Sequence, residues 1–497
     1  MKRIPNKTIQ INANKWFAVF CCLHLFFWTT IPALVSGCIP FDSAESIAWG
    51  WQWQLGYFKH PPFTAWITAL ATYAGGVEWP IYLLAQIVVI LTFIAVFQLA
   101  KKMLTPIHAL IAVLCLEAVL PFSLMAPFIN PTSMLLPVWA WSAYFFYAAL
   151  TEQKNRYWIF LGFLSAINIL TKYQGVLLFL PMFVLTLMTQ QGRKSYKRAG
   201  IYLAVFICFI LILPHFIGSS RVGFPEIKYA LSSTTGNMHA AIIWTRHFIY
   251  PARFMLSALG FCIGAFVITL PFWFSKQKNQ LKNFDWQFIL WIGLFPFAFT
   301  LFFSLFSDSF LDANWAVPYF FLIGVIIIAF LNPIVYRHLF KIFIGLLIIA
   351  IVLIFILRYG VLLTLPYVTG KAESSAYLPA KAMADQATQL WHQRYHTKLA
   401  YVTGDHYDTA YVTVYSPDHP KPYFDTYPHE SPWINLKDFK KKGSIFILPM
   451  KNNFKDLSSV KKQYPQLENL EIYDFHPTTS AHVPSINIAI GFISPAH

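Results

Sequence analysis

Two carboxylic acids and two potential cations lie close together near the N-terminal end of the chain. Asp42 and Glu45 are three residues apart, so they share a face if this stretch is helical. Lys59 and His60 precede prolines at 61–62, which hold the backbone extended and stiff. A carboxylate can take a proton from a hydroxyl group, and fixed cations can hold a phosphate. These residue types therefore permit general-base catalysis beside an anion site.

Each of these residues also has a simpler structural explanation. Asp42 could be the N-cap of a helix, because its carboxylate can accept bonds from free backbone N–H groups. Glu45 could complement the helix dipole in a first turn. Lys59 could contact a lipid headgroup while its stem lies along apolar surface. The residues alone leave both interpretations open.

Other polar residues farther along the chain could join the same site. Lys172 lies between two apolar segments and could reach the same anion, or it could be an ordinary loop charge. Arg221 and Arg246 belong to a later basic loop, and Arg can bind phosphate with two parallel hydrogen bonds. Trp315 could contact a sugar. No group of His, Cys and carboxylate residues has the spacing of a metal site.

The composition determines what must position these residues. The chain has 497 residues, of which 57% are hydrophobic and only 12% charged. A soluble chain has about 25% charged residues, so this composition excludes soluble, disordered and fibrous proteins and requires a bilayer. We predict a mainly α-helical, polytopic membrane protein with about eleven spans, since each span needs about 20 apolar residues. The apolar segments are 16–38, 80–100, 106–127, 133–150, 157–171, 175–190, 200–218, 254–274, 286–306, 314–331 and 341–365.

The distribution of Lys and Arg predicts the orientation. If the N-terminus is cytoplasmic, the cytoplasmic loops hold about three times as many Lys and Arg as the opposite loops. The net charge of +16 is therefore mostly a topology signal, and no nucleic-acid partner is expected. An odd number of spans puts the C-terminal end outside the cytoplasm.

Two outer loops and the C-terminal tail complete the predicted organisation. A transmembrane domain covers 1–365, and its outer loops 39–79 and 219–253 each contain an amphipathic segment, 44–55 and 239–254, expected to lie in the membrane interface. The tail, 366–497, predicts an extracytoplasmic α/β domain with a helix near 372–396. Alternating apolar residues predict strands at 398–405, 443–449 and 486–493.

The first outer loop resembles a known signature. FDSAESIAWGWQWQLGYFKHPPFTAWI (41–67) is similar to the first loop of glycosyltransferase family 39, whose members have the GT-C fold and are related to dolichyl-phosphate-mannose–protein mannosyltransferases. FINPTSMLLPVWAWSAYFF (128–146) resembles the second outer loop of the family and the span behind it. ILTKYQGVLLFLP (169–181) resembles its Lys-containing kink. Within 415–434, YSPDHP and SPWI resemble a subgroup that transfers galacturonic acid to lipopolysaccharide core or lipid A.

The resemblance implies roles for the residues. The donor is a polyprenyl-phosphate-linked sugar used on the outer face, Asp42 is the base, and Lys59 and His60 bind the donor phosphate. Two departures from the family pattern matter. Family members usually have Asp-Glu where this chain has Asp42 followed by Ser, so the acidic partner is Glu45 or is absent. Many also have an Asp in the second outer loop, where this chain has Asn130, a candidate contact for the acceptor or sugar together with Trp315.

The resulting expectation is an inverting glycosyltransferase of the bacterial inner membrane. Its acceptor is lipopolysaccharide, lipid A or another glycan or lipid of the cell envelope, reached on the periplasmic face, and its partners include membrane lipids. No cofactor is required; a divalent metal is possible but not indicated. A transporter or flippase for a lipid-linked sugar and an enzyme similar to protein O-mannosyltransferases are the alternatives.

Overall fold

The computed structural model describes residues 8–235, 243–278, 281–307, 309–360, 364, 377–450, 456–477 and 485–496. Helices dominate the part before residue 360. The α-helices there are α1 Ala13–Val35, α2 Phe41–Gly50, α3 Phe63–Thr72, α4 Glu78–Met103, α5 Pro106–Leu114, α6 Pro131–Glu152, α7 Asn155–Thr171, α8 Phe179–Met188, α9 Gln190–Ser195, α10 Ala199–Arg221, α11 Pro225–Thr235, α12 Ile243–Gly260, α13 Ile263–Trp273, α14 Asn283–Ser307, α15 Ile323–Leu331 and α16 Arg337–Phe355. Short 3₁₀ segments occur at Cys115–Ala118, Leu120–Phe122, Tyr173–Leu178 and Ala313–Phe320, and a π turn at Ile356–Gly360.

Six of these helices are long and apolar enough to cross a membrane: α1, α4, α6, α10, α14 and α16, the last extended to Gly360. Two bent pairs raise the number to eight among the described residues, namely Trp244–Gly260 with Ile263–Trp273 and Ala313–Phe320 with Ile323–Leu331. The mainly α-helical membrane fold is confirmed, but the count of about eleven is not. Several predicted spans are short or broken helices; the 106–127 segment, for example, is interrupted before Pro121 because proline cannot continue the helical hydrogen bonding.

The first outer loop folds into the protein instead of lying on the membrane surface. Helix α2 ends at Gly50, and all of its side chains from Ser43 onward are buried. Trp49, expected at headgroup depth, is only 1% exposed. A side chain at Gly50 would collide with the backbone carbonyl of Ala65 in α3, so the two helices cross in close contact. The burial of Trp49 contradicts the interfacial position predicted for the α2 part of 44–55, whereas Trp53 and Leu55, beyond α2, are 49% and 43% exposed. Part of the second predicted interfacial segment, 239–254, lies outside the described residues.

The C-terminal region forms a mixed sheet with helices, as predicted. Its strands are β1 Tyr401–Gly404, β2 Lys421–Phe424, β3 Ser444–Pro449, β4 Glu468–Phe475 and β5 Ile486–Ile493, and its helices are α17 Ala380–Tyr395, α18 His406–Tyr415, α19 Leu436–Lys442 and α20 Leu457–Gln463. The strand order is β2-β1-β3-β5-β4. β1 pairs in parallel with β2 and β3, whereas β5 is antiparallel to β3 and β4. Apolar side chains of α17, β1, β3 and β5 form a separate core.

Helix α18 attaches this sheet to the membrane helices. The hydroxyl group of Tyr411 donates to the carbonyl oxygen of Ile39, at 3.2 Å, and the amide of Ile39 donates to the hydroxyl group of Tyr415, at 2.9 Å. The rings of Phe41 and Tyr407 lie 3.6 Å apart between centroids. These contacts hold α18 along its length against the N-terminal end of α2, where the candidate carboxylates lie.

Candidate active site

Asp42 lies in the first turn of α2 and is not its N-cap. The cap position is occupied by Pro40, and no side chain caps the helix. The interpretation of Asp42 as a capping residue is therefore wrong. Its side chain is accessible from a cavity, and one of its carboxylate oxygens, Oδ2, accepts a hydrogen bond of 3.0 Å from Nδ2 of Asn130.

Asn130 is itself fixed by the start of α6. Its Oδ1 accepts hydrogen bonds from the backbone amides of Thr132 and Ser133, and the hydroxyl group of Ser133 accepts one from the amide of Asn130. This reciprocal capping box satisfies N–H groups that would otherwise lack partners at the helix end. The hydroxyl group of Ser43 also donates to the carbonyl oxygen of Ile129, at 3.0 Å. The second outer loop therefore holds a hydrogen-bond donor against Asp42 by ordinary helix-capping geometry.

Glu45 forms the centre of a buried charged cluster. Its Oε1 accepts a hydrogen bond of 2.6 Å from Nζ of Lys59. The same oxygen lies 2.5 Å from Nε2 of His406, and Lys59 and His406 are 3.5 Å apart between these nitrogens. On its other side, Nδ1 of His406 faces Glu430 at 3.5 Å and Asp425 at 3.7 Å. The first outer loop and the C-terminal domain are thus joined by a shared carboxylate.

His406 reaches this cluster because of the turn between β1 and α18. The strand ends at Gly404, whose φ of +125° suits glycine. Asp405 follows as the N-cap, and its Oδ1 accepts hydrogen bonds from the amides of Tyr407 and Asp408, at 2.9 and 3.2 Å. His406 is therefore the first residue of the helix and points toward α2.

The cluster fixes the charge of its members. Burial alone would raise the pKa of Glu45, but Lys59 and His406 hold it at about 2. Burial likewise opposes the charged form of His406, yet hydrogen bonds to Asp425, Glu430 and Glu45 raise its pKa to about 10. The pKa of Lys59 also rises against the effect of burial, because Glu45 favours the ammonium. At neutral pH the cluster consists of charged groups that largely neutralise one another.

His60 and Lys172, two further predicted cations, have lowered pKa values, whereas the pKa of Lys59 is raised. Burial, reinforced by the charge of Lys172, lowers the pKa of His60 to about 3, so His60 is neutral at pH 7. Lys172 donates from Nζ to Oγ1 of Thr132, at 2.7 Å, and its ammonium lies 5.7 Å from the ring centroid of Trp315. Burial lowers the pKa of Lys172 to about 8, although Asp42 and Asp312 favour its charged form. Lys172 is thus a cation near neutral pH without a bonded carboxylate among the described residues.

These residues line one cavity of about 550 Å³. Its lining combines two kinds of side chain. The polar ones include Asp42, Glu45, Lys59, His60, Asn130, Thr132, Lys172, Asp312, Asn314 and Trp315, and the apolar ones include Val176, Leu177, Phe299, Phe303 and Leu311. Val176 and Phe303 are 47% and 48% exposed on the outer surface of apolar helices, whereas the exposed Tyr407 belongs to the C-terminal domain. The cavity therefore reaches both the outer surface of the apolar helices and the surface of the C-terminal domain.

The environment of Asp42 suits a proton acceptor. Burial and the negative charge of Glu45 raise the pKa of Asp42 above its ordinary value, while the bond from Asn130 and the charges of Lys59 and Lys172 oppose this rise. A raised pKa strengthens a carboxylate as a base as long as it remains ionised at the working pH.

Two predicted cations lie elsewhere. Arg221 is exposed at the C-terminal end of α10, and Arg246 is half-buried in α12; neither lines the described cavity. Their role in phosphate binding stays a prediction. Within the described ranges, one group has ligand atoms close enough for a metal ion: His406, Asp425 and Glu430 lie within 4.8 Å of one another. The sequence prediction missed His406 altogether.

The chain is similar to known sugar-transferring proteins. Residues 59–217 match the family model of dolichyl-phosphate-mannose-protein mannosyltransferase. The fold resembles two crystal structures of ArnT from Cupriavidus metallidurans, one bound to undecaprenyl phosphate (TM-score 0.60) and one in the apo state (TM-score 0.59). Each is 15% identical to this chain, and the match covers 96% of this chain and 98% of ArnT. The chain has no match among curated protein sequences.

The chain therefore has an ArnT-like fold, and about a third of it matches the mannosyltransferase family model. The family match begins at Lys59 and ends at Ile217 in α10, so it includes the last part of the signature 41–67 and the two later segments, 128–146 and 169–181, that resemble family 39. The chain is a multi-pass membrane protein, in keeping with its long apolar helices.

Proposed function

We propose that this chain is an inverting glycosyltransferase that moves a sugar from a polyprenyl-phosphate donor to lipopolysaccharide, lipid A or another cell-envelope acceptor. We place the reaction on the periplasmic face of the bacterial inner membrane, with a cytoplasmic N-terminus and a periplasmic C-terminal domain. The observation that carries this proposal is the 550 Å³ cavity, because it combines an accessible carboxylate, buried cations and an apolar lining that reaches the surface of the membrane helices.

The cavity matches the two parts of such a donor. Its apolar lining, including Val176 and Phe303, suits a prenyl chain that enters from the bilayer. The phosphate would then bind near Lys172, whose ammonium donates to one hydroxyl group and retains further donors. The structure of ArnT with undecaprenyl phosphate supports this choice of lipid.

Asp42 would act as the general base. It takes the proton from an acceptor hydroxyl group as that oxygen forms a bond to the anomeric carbon of the donor. The bond between this carbon and the phosphate oxygen breaks on the opposite face, so the configuration inverts and the phosphate leaves with its electron pair. Lys172 stabilises the negative charge that develops there, which is commonly the largest contribution to catalysis. Asp42 later releases its proton to water.

Glu45 would act as a positioning residue. Its carboxylate is committed to Lys59 and His406, and its low pKa keeps it charged without making it a useful base. Its negative charge raises the pKa of Asp42 and anchors Lys59 at the cavity wall. His60 would contribute a neutral hydrogen-bonding ring to the donor site.

Mass spectrometry of the envelope lipids tests the proposed acceptor. Cells with and without the protein should differ in lipopolysaccharide or lipid A by the mass of one sugar. Purified protein in liposomes, supplied with a synthetic polyprenyl-phosphate sugar and the isolated acceptor, should reproduce the same mass difference. Movement of the donor across the bilayer without any sugar transfer would contradict the proposal and favour the flippase alternative.

A further inference from the structure

A second large cavity lies away from the candidate active site. It is a groove of about 1370 Å³ between α1 and α16, and it shares no lining residue with the 550 Å³ cavity. One face of each helix lines it. The lining residues of these helices are Trp16, Val19, Phe20, Leu23, His24, Phe27 and Trp28 from α1 and Arg337, Phe340, Lys341, Ile344, Leu347, Ile348, Ile351, Val352 and Phe355 from α16.

The two helices are in contact near both ends of the groove. At one end an isolated β-bridge joins Thr8 to Tyr336, just before each helix begins. At the other end the rings of Trp28 and Phe355 stack at 4.3 Å between centroids. Between these points α1 packs against α4 and α16 packs against α13, so their facing sides stay apart. The groove follows α16 for about 27 Å, close to the hydrocarbon thickness of a bilayer.

The walls of the groove are apolar and open to the side. Leu23 and Ile348, on opposite walls, are 52% and 56% exposed. The one carboxylate in the lining, Glu117, is already satisfied: its Oε2 lies 2.7 Å from Nδ1 of His24, and its Oε1 accepts a bond of 2.7 Å from the indole of Trp28. Glu117 therefore leaves no unpaired negative charge in the groove, and the apolar walls suit hydrocarbon chains.

The end beside the β-bridge is cationic. Arg337 and Lys341 are four residues apart on the lining face of α16, and both are exposed. Neither forms an ion pair with any residue that the structure describes. Trp16, 55% exposed, lies at the corresponding level of α1, and tryptophan favours headgroup depth. The charge and the aromatic ring complement a lipid phosphate above apolar chains.

We propose that this groove binds an anionic phospholipid of the surrounding leaflet, with its headgroup at Arg337 and Lys341 and its acyl chains between α1 and α16. Arg337 and Lys341 belong to the loops that hold most of the Lys and Arg residues, and these loops are predicted to be cytoplasmic. This end of the groove would therefore lie in the cytoplasmic leaflet, opposite the reaction. The site is independent of the proposed transfer reaction, because none of its residues lines the other cavity.

Native mass spectrometry of the full-length protein tests this proposal. The protein is equilibrated with phosphatidylglycerol or with phosphatidylcholine of the same acyl chains, and the retained lipid is measured. The double variant Arg337→Gln/Lys341→Gln should bind phosphatidylglycerol roughly thirtyfold more weakly, since each basic residue contributes about fivefold near anionic lipid. Its weak binding of phosphatidylcholine should not change.

A matched control removes two charges from the same predicted side of the membrane. Lys194 and Lys197 are exposed and lie outside the groove, so Lys194→Gln/Lys197→Gln should retain phosphatidylglycerol like the wild type. Ile348→Trp, which fills the groove and leaves the cations in place, should lower the retention of both lipids. Equal effects of the two double variants would overturn the proposal, as would retention of polyprenyl phosphate in preference to phosphatidylglycerol.

Discussion

Glu45 and His406 are separated by 361 positions in the chain, yet their side chains meet at 2.5 Å. One residue belongs to the first outer loop and the other begins the first helix after β1 in the C-terminal domain. The contact lies beside the candidate base, and both side chains are buried. The C-terminal domain therefore completes the wall of the candidate active site.

A double-mutant cycle should show that this contact couples the domains. Breaking a buried ion pair leaves a charge without its partner and costs about 3–5 kcal/mol. We expect Glu45→Gln and His406→Gln each to lower the free energy of unfolding by an amount in this range. The double variant should lose less than the sum, because the contact between these two residues is lost in each single variant and can be lost only once; Lys59 loses Glu45 in the Glu45→Gln and the double variant alike. Additive losses, measured by chemical denaturation in detergent, would show that the two residues do not interact.

The contribution of His406 should depend on pH. Its pKa in the folded protein, about 10, exceeds its ordinary 6.5, so its stabilising effect is complete below pH 6.5 and is lost as the pH rises toward 10. Glu45 behaves in the opposite sense: its effect is complete above its ordinary pKa of 4.5 and disappears as the pH falls toward 2. The difference in thermal unfolding temperature between wild type and His406→Gln should therefore be greatest between these limits, at about pH 4.5–6.5. A constant difference up to pH 10 would contradict the charged state of His406.

The loss of a proton from Lys172 should cause the rate of sugar transfer to fall at alkaline pH. Its pKa of about 8 means that the ammonium loses its proton in the mildly alkaline range. The wild-type rate should therefore fall above about pH 8. Lys172→Arg should remove this fall, because arginine stays charged. Below about pH 8, Lys172→Gln should reduce transfer roughly 10²–10³-fold, as expected for losing one group that stabilises developing charge, and its difference from the wild type should shrink at higher pH.

The Arg variant also provides the control for this assignment. It preserves the positive charge and changes only its titration. An alkaline limb that stays near pH 8 in Lys172→Arg would mean that another group titrates there and that Lys172 does not face the departing phosphate.

Asn130 should lower the pKa of Asp42 independently of its role as the N-cap of α6. Serine is also a good N-cap, so Asn130→Ser should keep the stability of α6 while losing the amide that donates to Asp42. This hydrogen bond lowers the pKa of Asp42, so its loss should move the acid limb of the transfer rate to higher pH. Asn130→Ala should show the same displacement and in addition lose about 1 kcal/mol of stability. If the acid limb of the transfer rate is unchanged in Asn130→Ser, Asn130 does not affect the pKa of the catalytic base.

Local sequence patterns predicted much of this arrangement. Asp42, Glu45, Lys59 and His60 belong to one loop, and their spacing was enough to group them. His406 was missed because the approach of α18 to α2 depends on packing between distant segments. A local signal was nevertheless present, since Gly404 ends a strand and Asp405 precedes a helical segment, a pattern typical of an N-cap.

Other differences also arise from tertiary packing. The aromatic pattern of 44–55 is the same for a helix on a membrane surface and for one covered by protein, so periodicity could not show that α18 buries α2. Likewise, hydropathy does not reveal where an apolar run bends. The 51° break between Ala313–Phe320 and Ile323–Leu331 follows Pro318, and such breaks reduced the number of continuous spans.

The most direct measurement is the rate of sugar transfer by Asp42→Asn, purified in lipid and supplied with a polyprenyl-phosphate sugar and the envelope acceptor. Losing the base should lower the rate roughly 10²–10⁴-fold while donor binding remains. Asp474→Asn, an exposed change on β4, should transfer at the wild-type rate. Wild-type transfer by Asp42→Asn would contradict the central claim that this carboxylate activates the acceptor.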